Sequence, residues 1–136
     1  MLEVPNMGSL FKKQAGVVCL VDGKVVLVSG DNGKTWRVPL GPPGDDPDEL
    51  KKQAEDVAWQ EAGVLGFAAS KRLGGYSYTA GGKMFQVSVF TLEARKYRDS
   101  WPQSENMERL LLPASEAADR VDEYGVGEIL RKLARQ

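Results

Sequence analysis

Val57-Ala58-Trp59-Gln60-Glu61-Ala62-Gly63-Val64 decides the fold, because it closes a helix that the spacing of apolar residues predicts over about 47–62. Leu50, Ala54, Val57 and Ala58, with Leu65 beyond the end, form an apolar stripe at helical spacing, with Lys51, Lys52, Glu55 and Trp59 outside it. Asp45, Asp46 and Asp48 crowd the start, where acids offset the positive end of the helix dipole. Residues three and four apart share one side of a helix, so positions 57, 60 and 61 lie together, while Asp56 points about 100° away from Val57. Glu61 therefore falls inside the apolar stripe, where a carboxylate needs a partner or a function, since burying an unpaired charge is costly. Trp59 projects from the opposite face, where an exposed aromatic would suit a partner protein or a homodimer.

The rest of the chain bounds what that helix can belong to. At 136 residues and 42% hydrophobic content, it suffices for one core: an arm over 1–13, loosely ordered, and a single domain over 14–136. Net charge is −1 with dispersed cations, which argues against nucleic acid. The longest apolar run, 16–21, is too short for a bilayer, and the start lacks a secretion pattern, so a cytoplasmic protein with no membrane contact is expected. Cys19 has no second cysteine to pair with and reads as core filler. There is no histidine, which removes histidine bases, histidine zinc ligands and every Ser-His or Cys-His arrangement.

Strands are predicted over 14–21 and 24–29, paired through Asp22-Gly23, with a second turn at Asp31-Asn32-Gly33 and a short strand over 35–38. Two β-rich runs, 67–79 and 83–93, flank Ala80-Gly81-Gly82 and make a second hairpin, with Gly74-Gly75 marking a bulge or a close backbone approach. A strand over 107–112 precedes helices over about 113–121 and 127–134. Gly82-Lys83 is no Walker loop, because Met84 follows, and the acidic cluster lacks the calcium-loop order. Hairpins around a central helix, closed by carboxyl-terminal helices, imply an α/β class with a mixed sheet covered on both sides.

The stretch Trp36-Arg37-Val38-Pro39-Leu40-Gly41, the acidic helix start and Glu61-Ala62-Gly63-Val64 together resemble the Nudix box, G-x5-E-x7-R-E-U-x-E-E-x-G-U with U aliphatic. Gln14-Ala15-Gly16, Gly74-Gly75-Tyr76, and Trp101-Pro102 with Glu116-Ala117-Ala118 extend the likeness, which is closest in look to the bacterial diphosphoinositol-polyphosphate and dinucleoside-polyphosphate branch. The resemblance implies a Nudix-type α/β/α sandwich and a magnesium-dependent hydrolase of a nucleoside diphosphate linked to another moiety. Anchored on Gly63, the core R-E-U-x-E-E falls on Asp56, Val57, Ala58, Trp59, Gln60 and Glu61, so only Glu61 survives as a catalytic and metal-ligand candidate. Asp48 is nearest to the first box glutamate, but Gly41 to Asp48 is one residue too long; if it matches, Asp48 and Asp56 turn an opposite-charge pair into a like-charge one.

Leu40 stands where that branch carries a lysine, which leaves Lys34 and Arg37, with Trp36 and Gly41, as the candidate ligand-binding positions. One carboxylate is a poor magnesium trap. The expectation is a weak or inactive hydrolase that binds a small phosphate-containing ligand or acts as a regulatory module, with Mg2+ held weakly if at all. The alternatives are an active hydrolase recruiting Asp48, Glu93, Glu105 or Glu108 beside Glu61, and an interaction module built on Trp59.

Overall fold

Residues 16–21 form a near-continuous apolar run because their strand is covered on both faces. In the computed structural model, which describes residues 11–136, this strand is β1 (Phe11–Val21). Ala15, Val17 and Cys19 pack on one side with the central helix, and Val18 packs on the other with the carboxyl-terminal helices. β1 turns through Asp22-Gly23, both at positive φ (51° and 78°), into β2 (Lys24–Ser29), which pairs with it antiparallel. A 3-10 turn, Pro47–Glu49, leads into α1 (Leu50–Ala62), followed by the two-residue strand β3 (Val64–Leu65). The hairpin of β4 (Gly74–Ala80) and β5 (Lys83–Glu93) comes next. Gly81 and Gly82 make its turn at φ 57° and 76°. Then come β6 (Lys96–Tyr97), β7 (Glu108–Leu112), α2 (Ala114–Arg120) and α3 (Tyr124–Ala134).

The main sheet has the order β4-β5-β1-β2-β7 and is mixed, with β1 and β5 parallel over ten residue pairs and the other pairings antiparallel. A parallel pair needs a crossover, and α1 lies within it, packed on the sheet through Leu50, Ala54, Val57, Ala58 and Ala62. α2 and α3 cover the other face through Ala117, Ala118, Val126, Ile129 and Leu130. The mixed sheet covered on both sides, expected from the hairpins and helices, is therefore observed, and it is the α/β/α sandwich that the resemblance implied.

α1 stops at Gly63, a left-handed cap (φ 68°) whose N–H reaches the carbonyls of Ala58 and Trp59. A side chain there would also strike Arg109, since a Cβ would lie 2.9 Å from its guanidinium. That guanidinium donates to the Ala62 carbonyl at 2.8 Å and is stacked between Tyr97 (4.2 Å) and Trp101 (3.8 Å). Arg109 thus ties β7, the β6 segment and the end of α1 together.

Several local expectations are corrected. Residues 35–38 make no strand; only Arg37 bridges to Val28, because Trp36 turns into the core and Pro39 ends the pairing. The segment 67–73 is irregular apart from a bridge between Ala68 and Leu92. Leu65 leaves the helical stripe for the small β3–β6 sheet and is 37% exposed. α3 starts at Tyr124, three residues before the predicted start, because Glu123 caps it through Gly125. Of the two readings of Gly74-Gly75, the bulge is not found, whereas the close approach is: a Cβ at Gly75 would lie 3.0 Å from the Val87 backbone carbonyl, and one at Gly74 3.1 Å from the Ile129 side chain of α3. Phe11–Lys13, expected in the arm, belong to β1, and the rest of the expected arm lies outside the described residues.

Candidate functional site

Glu61 sits on the last turn of α1 at 9% exposure, facing the segment that follows β2. That segment is rigidly placed. Val28 and Arg37 exchange backbone hydrogen bonds (2.8 and 3.0 Å), while Trp36 and Val38 on either side are buried, and the Trp36 N–H donates to the Asp122 carboxylate at 2.9 Å. Arg37 consequently projects at Glu61. Its Nη1 donates to Oε1 at 2.7 Å and its Nη2 to Oε2 at 2.8 Å, while the Leu40 N–H adds a third bond to Oε1 at 3.0 Å. This two-pronged geometry is the strongest form of an arginine–carboxylate pair. The hydrogen bond to Glu61 raises the Arg37 pKa further above its ordinary value, against the opposing effect of burial. Nη1 also donates to the Val38 carbonyl at 3.2 Å, so three of the five guanidinium N–H groups are engaged and two are left.

On one side of this pair lies a cleft of about 440 Å³, in which Val57, Gln60, Asp56 and Glu61 of α1 face Leu40, Pro42 and Gln103. The donors present do not fit magnesium, which wants several hard anionic oxygens converging on one point. Glu61 has both oxygens committed to Arg37, Asp56 is exposed and ion-paired with Lys52 at 3.0 Å, and Gln60 is neutral. Among the described residues, no three His, Cys, Asp or Glu side chains come together in a way that could hold a metal ion. Gln53 lines the same cleft and has a buried Oε1 without a hydrogen-bond partner.

The other acids named from the sequence are elsewhere. Asp48 is exposed in the 3-10 turn, Glu93 ends β5, Glu105 is exposed in the turn before β7, and Glu108 opens β7 with its carboxylate beside Gly33. None of the four lines the cleft at Glu61. Of the candidate ligand-binding residues, Arg37 borders a cleft beside Glu61, and the other three do not line the clefts on either side of the pair. Lys34 is exposed in the turn after Asp31. Trp36 is core. Gly41 is tied to β1, its N–H donating to the Ala15 carbonyl and its own carbonyl accepting from the Gln14 side chain. Trp59 is half-buried beside Glu55, Asp56, Leu65 and Gly66.

On the other side of the pair, a second cleft of about 250 Å³ is bounded by Arg37, Val38, Leu40, Tyr76, Tyr78, Val121, Glu123 and Val126. Tyr78 stacks on Phe85 (4.8 Å between centroids, 9° between planes) and its hydroxyl donates to the Gln14 side-chain oxygen Oε1. Burial first, and the nearby Glu123 second, push the Tyr76 pKa well above its usual value, so it stays a neutral phenol. Sequence reading missed Tyr76 and Tyr78 as cleft residues. Their signal was the alternation Tyr76-Ser77-Tyr78, which puts both rings on one face of β4.

The architecture matches solved structures over nearly its full length. With C. elegans Ap4A hydrolase in a binary complex, the TM-score is 0.72 at 21% identity, covering 91% of this chain and 96% of that one. The fold is that of the Nudix hydrolases. The MutT protein of Methanosarcina mazei Go1 (TM-score 0.69, 16% identity, 99% and 97% covered) shares the same Nudix architecture. So does a Nudix hydrolase of Nitrosomonas europaea (TM-score 0.63, 15% identity, 91% and 88% covered). No protein-family model matches the chain, and no curated protein does either. No helix among the described residues is long and apolar enough to cross a membrane.

Proposed function

We propose that this Nudix-fold chain is a ligand-binding or regulatory protein rather than a vigorous magnesium-dependent hydrolase, and that its ligand is a small phosphate-containing molecule with a planar group. The observation that carries the reading is the closed Arg37–Glu61 fork, with Leu40 as third donor, on a helix face that otherwise offers Val57 and Gln60. A divalent ion would have to displace a charge-assisted pair to reach the only carboxylate of that face held in place. In the neighbouring cleft, Tyr76 and Tyr78 give a planar group an aromatic wall, and the two remaining Arg37 N–H groups suit one phosphoryl oxygen pair. Glu123 also borders this cleft, but it caps α3 and its charge is offset by that helix's positive end. Binding there is expected to be modest and only weakly dependent on salt.

The test is a manganese and magnesium titration followed by backbone NMR, comparing wild type with Val57→Glu/Gln60→Glu. Wild type should show no site-specific broadening near Glu61 at sub-millimolar manganese, whereas the variant should acquire it. Tight broadening centred on Glu61 in wild type, or robust magnesium-dependent phosphate release from diphosphate substrates, would sink the proposal in favour of an active hydrolase. An interaction role has one specific support: Leu65, exposed at the end of β3 beside Trp59, with the exposed Phe67 (67%) two residues on. A concentration-dependent molecular mass that Trp59→Ala abolishes would favour it.

A further inference from the structure

A cleft larger than the one at Glu61 lies elsewhere on the sheet. It has a volume of about 510 Å³ and lies where β4, β5 and β1 run past the start of α1. Lys13, Gln86 and Ser77 are partners across the three strands, as are Ala15, Ser88 and Gly75 one step on, in the registers β1–β5 and β5–β4. Side chains two apart on a strand share a face, so Lys13, Ser77, Gln86 and Ser88 all lie on the α1 side, opposite Tyr76 and Tyr78. Pro47 and Leu50 form the apolar wall where α1 begins to cover the sheet.

Charge separates this cleft from an ordinary solvated sheet face. Its lining includes Lys13 and Arg72 and no carboxylate. Neither cation has an ion-pair partner among the described residues, whereas Lys12, Arg37 and Lys52 each have one and Arg131 has two. The chain carries 19 acidic residues against 18 basic ones, so acids are not scarce. The two cations are instead held by neutral groups of β5. Lys13 Nζ donates to Gln86 Oε1 at 3.2 Å, and Arg72 Nη1 lies 3.4 Å from Ser88 Oγ. The glycine at 75 makes room for the guanidinium: a Cβ there would sit 3.3 Å from Arg72 Nη1 and 3.0 Å from the Val87 carbonyl.

We infer that this cleft binds a small molecule bearing two anionic groups. Lys13 keeps two N–H donors and Arg72 four after their contacts with β5, and the Ser77 and Ser88 hydroxyls and the Gln86 amide add further donors. The supports at Gln86 and Ser88 are two residues apart, roughly 7 Å along the strand, a span that one compact polyanion can bridge. The guanidinium fork suits a phosphoryl or carboxylate group, and Pro47 and Leu50 accept the carbon portion. The site lies across the sheet from the Arg37 cleft and does not depend on the function proposed there.

The experiment is a backbone NMR titration of the full chain in 150 mM salt with chelator and no divalent ion, using inorganic pyrophosphate and, in parallel, citrate. Saturable shifts confined to Lys13, Gly75, Ser77 and 86–88 are expected with at least one probe, and the tighter probe tells phosphoryl from carboxylate ligands. Lys13→Gln and Arg72→Gln, both solvent-facing changes whose spectra report retained folding, should each weaken binding by at least about tenfold, and the double variant should abolish it. Shifts centred on Arg37, Leu40 and Tyr76 that both variants leave unchanged would overturn this inference while supporting the Arg37 cleft. Linear, unsaturable shifts at every lysine would overturn it, as would an oligonucleotide or acidic peptide binding more tightly at these residues than either small anion.

Discussion

Replacing Arg37 with methionine keeps most of the aliphatic stem but removes both prongs from Glu61, whose carboxylate then retains the Leu40 N–H alone. Removing one partner of a fully buried ion pair costs about 3–5 kcal/mol, because the other charge stays buried and uncompensated. Glu61 meets that condition at 11% side-chain exposure, but Arg37 is 39% exposed, so solvent screens part of the pair. A loss of about 2–3 kcal/mol is therefore expected, equivalent to a drop in Tm of roughly 6–10 °C for a chain of this size. Glu61→Gln alone should cost less, and in the double variant the carboxamide should meet methionine with no buried charge. A cycle of urea unfolding on the four proteins should give a coupling of about 1.5–2.5 kcal/mol. An Arg37→Met cost below about 0.5 kcal/mol, or additive single effects within experimental error, would refute the claim that the fork closes this site.

Arg109→Ala should cost about 2–3 kcal/mol by uncapping the Ala62 carbonyl and unstacking Tyr97 and Trp101; in thermal unfolding, Arg109→Lys should recover under half, since an ammonium cannot lie flat between two rings while donating. Gly125→Ala should lower the Tm and perturb the Tyr76 cleft, because a Cβ there would lie 2.5 Å from Tyr76 Cβ; an unchanged Tm and unchanged Tyr76 resonances would contradict the packing. Asp31 is held down to about 2, first by the Thr35 hydroxyl, then by the Thr35 N–H and by Ser29. A carboxylate lowered in the folded state contributes order that is present above its ordinary value of 3.8 and is lost as pH falls toward about 2. Amide shifts of 31–35 should report that window, and Asp31→Asn should remove the pH dependence.

Much of the fold was legible because local chemistry and tertiary structure agree. Asp22-Gly23 and Gly81-Gly82 supply the positive φ that two-residue hairpin turns demand, and both hairpins form. The parallel pairing of β1 with β5 was not legible. It joins residues some 70 positions apart, and a strand buried on both faces has no alternation from which to read its neighbour. Trp36 shows the same limit on a smaller scale. A box-adjacent tryptophan read as a ligand contact is drawn inward because Asp122, far along the chain, fixes its backbone.

Glu61 itself shows where sequence reasoning stops. Spacing placed it in an apolar stripe and demanded a partner, but its partner is 24 residues away in a segment with no regular structure, so helix periodicity could not name Arg37. The consequence reaches function. Both glutamate oxygens and one arginine edge are used up between α1 and the segment after β2, and this pair divides the space into an amide-rich cleft at Gln53 and Gln60 and an aromatic one at Tyr76 and Tyr78. Restoring acids at 57 and 60 would leave Glu61 still bound to Arg37, so a rebuilt metal site has to compete with the fork as well as regain its charge. Adding Arg37→Met to Val57→Glu/Gln60→Glu should therefore tighten manganese beyond the double variant, by roughly tenfold for each 1.4 kcal/mol by which the fork had opposed the metal.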